Sequence, residues 1–129
     1  MEKTMTTTLG LFTKSLVGFF KDLYETFPEE REIKLSLEAI EGAKKVNPRL
    51  VLDLFYENVY KPLRDPILEE NEEVIISYVK QKIAVQFNEL SPAIMIFDKH
   101  WDDLSDTSRT AIWKHLKVLI LLAEKAKTA

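Results

Sequence analysis

The sequence predicts an all-α protein, a compact single-domain bundle of about six helices. Apolar residues recur at spacings of three and four along most of the 129 residues, which is the period of a helix facing a core. The chain has only three glycines, too few for a turn-rich β fold. Pairs of a capping residue and a proline, at Asn47-Pro48, Asp65-Pro66 and Ser91-Pro92, divide the chain at short intervals.

The first helix is predicted from about Thr8 to Glu25. Its apolar stripe consists of Leu9, Phe12, Leu16, Phe19, Phe20, Leu23 and Phe27. Leu11, Val17 and Tyr24 extend the apolar surface beyond that stripe, so this helix calls for contacts on two sides. Gly18 is expected to weaken the helix slightly and to allow a neighbour to approach closely.

The second helix is predicted to begin at a capping box formed by Thr26 and Glu29, with Pro28 in its first turn. Its inward face consists of Ile33, Leu37, Ile40 and Ala43. Asn47 and Pro48 then begin the third helix. The apolar residues of that helix are Leu50, Val51, Leu54, Phe55, Val59 and Tyr60. Pro62 and Pro66 interrupt the pattern, and Asp65-Pro66 is expected to open a short separate helical turn.

Three further helices are predicted. The fourth runs from about Glu72 to Glu89, after an acidic stretch from Glu69 that is either a loop or its first turn. Its stripe consists of Ile75, Val79, Ile83, Phe87 and Leu90. The fifth begins at Ser91-Pro92 and carries Ile94, Phe97 and Trp101. The sixth, capped by Ser105, runs to about Lys125. It buries Ile112, Trp113, Leu116, Leu119, Ile120 and Ala123. We expect one domain over residues 1–129, with a flexible tail at 1–7 and a frayed end at 126–129.

Composition excludes several classes of function. Without cysteine the chain has no disulfide, no thiolate metal site and no cysteine nucleophile. Its glycines are too dispersed for a phosphate-binding loop. The apolar run Val118–Ala123 is too short to cross a bilayer, and the first residues lack the pattern of a signal peptide. We therefore expect an intracellular protein with no cofactor and no transmembrane segment.

Acidic residues and a histidine cluster near the fifth predicted junction: Asp98, His100, Asp102, Asp103 and Asp106. Such residues can bind a metal or form a His-carboxylate pair, but their spacing matches no known motif. A solvated, capped loop is the alternative. His115 would meet His100 if the last two helices fold back on each other. No residue is assigned a catalytic, metal-binding or cofactor-binding role, and we expect the protein not to be an enzyme.

Two sets of residues are candidate contact surfaces. The densest basic set, a candidate for nucleic acid or an anionic partner, consists of Lys44, Lys45, Arg49, Lys61 and Arg64. The alternative for this set is an ordinary solvated face, which the net charge of −3 favours. Phe12, Phe19 and Phe20 are candidates for an amphipathic face that binds a partner or a membrane, with core packing as the alternative.

Three segments together carry a resemblance to known proteins. They begin at Tyr24 (YETFPEEREIK), at Lys45 (KVNPRL, followed by LFYENVY) and at Phe97 (FDKHWDDLS, leading to IWKHLKVL). In this order they resemble small helical proteins of the nucleocytoplasmic large DNA viruses, the giant viruses of algae and protists. The resemblance covers about Leu11 to Ala123 and implies a role in infected cells or in the virion. It carries no assigned activity and no functional residues.

The leading functional hypothesis is a non-enzymatic interaction or structural protein, acting through an exposed helix face or self-association. Surplus apolar surface on the first and last helices, without site chemistry, is the reason for it. A nucleic-acid-associated factor using the basic set is the second hypothesis, and an enzyme centred on His100 is the third.

Overall fold

The chain folds into helices in a computed structural model that describes residues 7–83 and 91–128, and the all-α prediction is confirmed. The α-helices are α1 (Thr8–Thr26), α2 (Arg31–Val46), α3 (Pro48–Phe55), α4 (Lys61–Leu68), α5 (Glu72–Ile83), α6 (Ser91–Ile94), α7 (Ile96–Lys99) and α8 (Asp106–Thr128). A π-helical turn, Tyr56–Tyr60, joins α3 to α4, and a 3-10 turn, Trp101–Asp103, follows α7. Within the described ranges these segments form six helical stretches, as the sequence predicts.

Helix α1 is the central element of the bundle. It packs against α2, α3 and α8, while α5 packs against α4 and α7. The buried apolar side chains of these helices, the π turn and the 3-10 turn form one cluster, to which α6 contributes Ala93. A helix with neighbours on several sides needs a wide apolar surface, which explains why Val17 of α1 is buried beside the main stripe.

Two predicted helix caps are confirmed. The side chain of Asn47 accepts a hydrogen bond from the backbone N–H of Arg49 at 3.1 Å, and Pro48 is the first residue of α3. The hydroxyl of Ser105 accepts from the N–H of Ser108 at 3.1 Å at the start of α8. A further cap lies at Thr7, whose hydroxyl accepts from the N–H of Gly10 at 2.9 Å; the other residues of the expected tail are outside the described ranges.

The predicted capping box at Thr26 and Glu29 is wrong. Thr26 is the last residue of α1, and its hydroxyl donates back to the carbonyl of Asp22 at 2.9 Å. Helix α2 begins only at Arg31, with Glu30 at the N-cap position and no side-chain cap bond. A threonine hydroxyl can bond forward to a new helix or backward to the one it ends, and here it bonds backward.

The predicted break at Asp65-Pro66 is also wrong, because α4 continues through it. The π turn shifts the backbone bonding by one residue, so that the N–H of Lys61 donates to the carbonyl of Tyr56. Pro62 is the second residue of α4, directly after the π turn, and Pro66 lies within the helix. Helix α3, the π turn and α4 therefore form one rod.

The acidic stretch after α4 is a tight turn followed by the first turn of α5. Glu70 has a left-handed backbone with φ of 55°, and the N–H of Asn71 donates to the carbonyl of Pro66 at 2.8 Å. This is a Schellman ending, in which glycine is the usual left-handed residue. Glu72 and Glu73 are the acidic first turn of α5, as one of the two interpretations of the sequence expects.

The apolar stripe predicted for α3 is only partly correct. Val51, Phe55 and Val59 are buried as predicted. Leu50 is 56% exposed, whereas Leu52, which the predicted stripe omits, is 0% exposed. Helix α3 contacts both α1 and α8, so its buried face is rotated toward Leu52 relative to the sequence-based stripe.

Aromatic packing connects the C-terminal elements. Phe97 stacks on Trp101 with ring centres 4.4 Å apart, and Trp113 meets Trp101 edge to face at 5.2 Å. The indole N–H of Trp101 donates to the carboxylate of Glu72, and the guanidinium of Arg109 donates to the Trp101 carbonyl at 2.8 and 3.0 Å. These contacts attach the 3-10 turn to α5 and α8.

Helix α8 continues into the segment 126–129, where the expected frayed end stays a prediction. The helix reaches Thr128, and Ala126 is buried. All six core residues predicted for α8 are buried, as are Ile75 and Val79 of α5 and Phe97 of α7. The predictions for Phe87 and Leu90, and for the side chains of Ile83 and Ile94, fall outside what the structure describes.

Candidate functional site

An open groove runs between α1 and α8 on the solvent side of their contact. Its volume is about 560 Å³. The groove is lined by Leu11, Lys14, Ser15 and Gly18 from α1 and by Ala111, Lys114, His115 and Val118 from α8. On each helix these residues follow the i, i+3, i+4, i+7 spacing, so each helix contributes one face over two turns.

The small residues in the lining keep the groove open. A Cβ atom added to Gly18 would have no other atom within 4 Å, so the space above this glycine is empty. The expected close approach of a neighbour at Gly18 is therefore wrong. Because glycine and alanine leave the seam between α1 and α8 unfilled at Gly18 and Ala111, the groove has depth where larger side chains would close it.

The walls of the groove combine apolar and cationic groups. Leu11 is 42% exposed and Val118 is 40% exposed, so both have apolar surface that the fold does not bury. Lys14 and Lys114 form no ion pair with any carboxylate in the described part of the chain. The groove is thus apolar with two unneutralised positive charges.

His115 contacts two side chains of α1. Its Nε2 lies 2.7 Å from a carboxylate oxygen of Asp22, and its ring lies 5.2 Å from the ring of Phe19. His115 and Asp22 join α8 to α1 at one end of the groove. A histidine held by a carboxylate and a ring has a fixed orientation, so this wall is preorganised.

His100 lies in a different set of contacts, so the two histidines do not share a site. Nε2 of His100 is 2.7 Å from one carboxylate oxygen of Glu30, while Lys99 Nζ is 3.1 Å from the other. The His100 ring stacks on Phe27 at 4.5 Å. The hydrogen bonds from His100 and then Lys99 lower the pKa of the Glu30 carboxyl. Such a carboxylate is a weak base, and the contacts cross-link the start of α2 to α7.

The other acids near the fifth junction do not converge on His100. Asp98 lies 3.7 Å from Lys80, and Asp102, Asp103 and Asp106 are exposed. No group of three or more His, Asp or Glu residues within residues 7–83 and 91–128 is arranged to hold a metal ion. The solvated, capped loop is the interpretation that these positions support.

The five predicted basic residues separate into two groups. Lys61 pairs with Glu57 at 3.0 Å, and Arg64 pairs with Asp65 at 2.7 Å and with Glu124 at 3.3 Å. Carboxylates therefore neutralise two of the five charges.

The second group consists of Lys44, Lys45 and Arg49. These residues have no ion pair with a described carboxylate. They lie where α2 meets α3.

Arg64 belongs to a network that joins the rod to α8. The hydroxyl of Tyr60 donates to the Glu124 carboxylate, which raises the pKa of Tyr60 and lowers the pKa of Glu124. Tyr60 also stacks on Tyr56 at 4.6 Å. Arg64 is thus engaged within the fold and is a poor candidate for an external partner.

The three candidate aromatics of α1 are not on an exposed face. Phe12, Phe19 and Phe20 are all buried, and Phe12 meets Phe55 edge to face at 5.2 Å. The interaction-face interpretation is therefore wrong for these residues, because α1 has neighbours on three sides that take up its aromatic stripe. The exposed apolar surface of α1 is carried by Leu11 instead.

Comparison with known proteins gives no family for this chain. No protein-family model, curated protein or solved structure matches it. None of the described helices is both long and apolar enough to cross a membrane. The resemblance to giant-virus proteins stays a prediction, and function is argued from the surfaces described above.

Proposed function

We propose that the protein is a non-enzymatic interaction domain whose groove between α1 and α8 binds an acidic, amphipathic helix of a protein partner. The observation that carries this proposal is the open groove itself, about 560 Å³ in volume, with apolar walls and two unpaired lysines. Its residues contribute little to the core, so the fold alone does not account for their arrangement.

A helix is the favoured ligand because of the shape of the groove. Two side-by-side helices leave a trough along their seam, into which a third helix fits with anchors at i, i+3, i+4 and i+7. The lined length, from Leu11 to Gly18, is two helical turns, or about 11 Å. Leu11 and Val118 would contact the apolar face of the ligand.

An acidic ligand is favoured because of Lys14 and Lys114. They stand on opposite walls, one on each helix, and neither has a described carboxylate partner. Carboxylates that flank the apolar anchors of the ligand would face both lysines. Such complementarity raises the association rate and selects against basic helices.

The test is a selection of four-turn helical peptides from a displayed random library against the wild-type protein. We expect enriched peptides to have apolar residues at helical spacing, flanked by Asp or Glu. Each enriched peptide is then titrated against Gly18→Leu, which fills the groove, and against Gly42→Leu. Gly42 is the matched control because it is also helical and also has no atom within 4 Å of an added Cβ, but lies on α2.

We expect Gly18→Leu to weaken binding at least about tenfold and Gly42→Leu to leave it unchanged. Peptides that bind Gly18→Leu as well as wild type, or that lack acidic residues, would contradict the proposal. Enrichment of no peptide at all would count against it equally.

A structural role through self-association is the other form of this proposal. In it, the groove binds a helix face of a second copy of the chain. Sedimentation at several concentrations distinguishes the two forms. Dimers that Gly18→Leu dissociates support self-association, whereas a monomer at all concentrations supports a separate partner.

A further inference from the structure

The corner where α2 meets α3 has a second, independent surface. It is the segment of residues 44–50, called the basic corner below. Asn47 is the only residue between the two helices, so the chain turns sharply there. Val46, the last residue of α2, is 83% exposed, and Leu50 in the first turn of α3 is 56% exposed. Apolar side chains this exposed project from the fold and do not line a pocket.

Positively charged residues neighbour the two aliphatic residues in the sequence. Lys44 and Lys45 precede Val46, and Arg49 precedes Leu50. None of the three cations pairs with a carboxylate in the described part of the chain, even though Glu41 is one helical turn before Lys45. Lys61 and Arg64, in contrast, are occupied by Glu57, Asp65 and Glu124.

We infer that the basic corner docks on an anionic phospholipid surface, with Val46 and Leu50 inserted between headgroups and Lys44, Lys45 and Arg49 on the phosphates. The charge complementarity comes from the three free cations, which attract an anionic leaflet. The projecting aliphatic pair adds apolar burial, which a lipid interface can provide around a convex corner.

A nucleic acid fits the same corner less well. A phosphate backbone would bind the cations. Single-stranded bases, however, stack on aromatic rings, and residues 44–50 include no aromatic residue. Val46 and Leu50 are aliphatic, and in the hydrated grooves of a nucleic acid they would stay in contact with water. The total charge of −3 opposes long-range attraction to either polyanion, so binding must depend on the local corner.

The test is co-sedimentation of the full chain with vesicles of phosphatidylcholine containing about one-third phosphatidylserine, and with vesicles of phosphatidylcholine alone. We expect binding only to the anionic vesicles, weakened by added salt. Removing three cations in K44Q/K45Q/R49Q should reduce the partition coefficient about 100-fold, at about fivefold for each cation. V46S/L50S should reduce it about tenfold through lost apolar burial.

The matched control is K21Q/K34Q/K82Q. It makes the same change in net charge at three exposed lysines that have no described carboxylate partner and that lie near the end of α1, in the first turn of α2 and near the end of α5. Partition of this control should stay within about twofold of wild type, because distant charges are screened. Circular dichroism melting of all variants checks that each one folds.

Three results would overturn the inference. One is equal binding to neutral and anionic vesicles. The second is an equal loss of binding in the control triple variant. The third is salt-dependent binding to a DNA duplex or a single-stranded RNA, without binding to anionic vesicles, which would identify nucleic acid as the partner of the basic corner.

Discussion

Leu50 and Leu52 are two residues apart in α3, and their environments are opposite. Leu52 is fully buried, while Leu50 is mostly exposed. Burial sets the energetic consequence of truncating a side chain, since a cavity forms only where neighbours surround it.

The pair gives a direct test of the core. Leu52→Ala should lower the free energy of unfolding by about 2–5 kcal/mol, because it removes methyl groups from a packed interior. Leu50→Ala, the same chemical change, should alter it by less than about 0.5 kcal/mol. Urea unfolding monitored by circular dichroism measures both values. A larger effect at Leu50 than at Leu52 would reverse the assignment of the buried face of α3.

Glu30 is the residue whose ionisation is most clearly tied to a tertiary contact. Its pKa is lowered from about 4.5 by the hydrogen bonds from His100 and Lys99. A carboxyl with a lowered pKa in the folded state contributes stability above its unfolded pKa, and this contribution is lost as the pH falls through the lower folded value.

The effect of removing the Glu30 charge on stability follows from this lowered pKa. Glu30→Gln should be less stable than wild type at pH 7 by about 1–2 kcal/mol, because the cross-link between α2 and α7 loses its charge. The difference should shrink as the pH falls below about 4.5. Thermal melts across pH measure it, with Glu29→Gln as control because Glu29 is exposed and has no described partner. A difference that grows as the pH falls below about 4.5 would contradict the assignment.

At the scale of the elements, helix ends depend on which cap bonds form. Asn47 caps α3 through its side chain, whereas Thr26 ends α1 and caps nothing that follows. Both residues look like helix starts in the sequence.

The two positions should therefore respond differently to the same kind of change. Asn47→Ala should lower the free energy of unfolding by about 0.5–2 kcal/mol, the usual range for a lost N-cap. Thr26→Ala should lower it by well under 1 kcal/mol, because the hydroxyl only adds a bond to an exposed helix end. Midpoints of denaturant unfolding measure the difference in stability between the two variants, provided that the free energy of unfolding depends on denaturant concentration with the same slope in both. If Thr26→Ala lowers the free energy of unfolding as much as Asn47→Ala does, the predicted capping box at Thr26 is supported.

Helix identity could be predicted from the sequence, and some helix boundaries could not. Asn47 and Ser105 are correctly predicted, and in each the side-chain oxygen accepts from a backbone N–H in the first turn of the helix that follows. Thr26 and Pro66 are wrongly predicted because the outcome depends on tertiary packing and on the π turn, which leave no local pattern. The groove could not be found from the sequence either. Gly18 and Ala111 are far apart in the chain, and only the packing of α1 on α8 brings them together.

At the scale of the whole molecule, one apolar cluster includes helices from both ends of the chain. Helices α1 and α8 pack directly on each other. Both tryptophans are buried, Trp101 in the 3-10 turn after α7 and Trp113 in α8. A shared core of this kind favours a single cooperative unfolding transition.

Two probes can test that expectation. Far-UV circular dichroism reports all helices, while tryptophan fluorescence reports Trp101 and Trp113. We expect urea transitions with coincident midpoints and a red shift of the emission as both rings meet water. Fluorescence that changes well before the circular dichroism would show that the C-terminal elements unfold separately.

The π turn bears on chain length as well as on shape. A π turn holds one residue more than an α turn, so Tyr56–Tyr60 is equivalent to a single-residue insertion absorbed within the rod. Deleting Asn58 should convert the turn to α-helix and leave the flanking helices facing as they do now. The same deletion at Ser15 would rotate the rest of α1 by about 100° and expose its aromatic stripe. Melting temperatures of the two deletion variants would show which part of the chain tolerates a change in length.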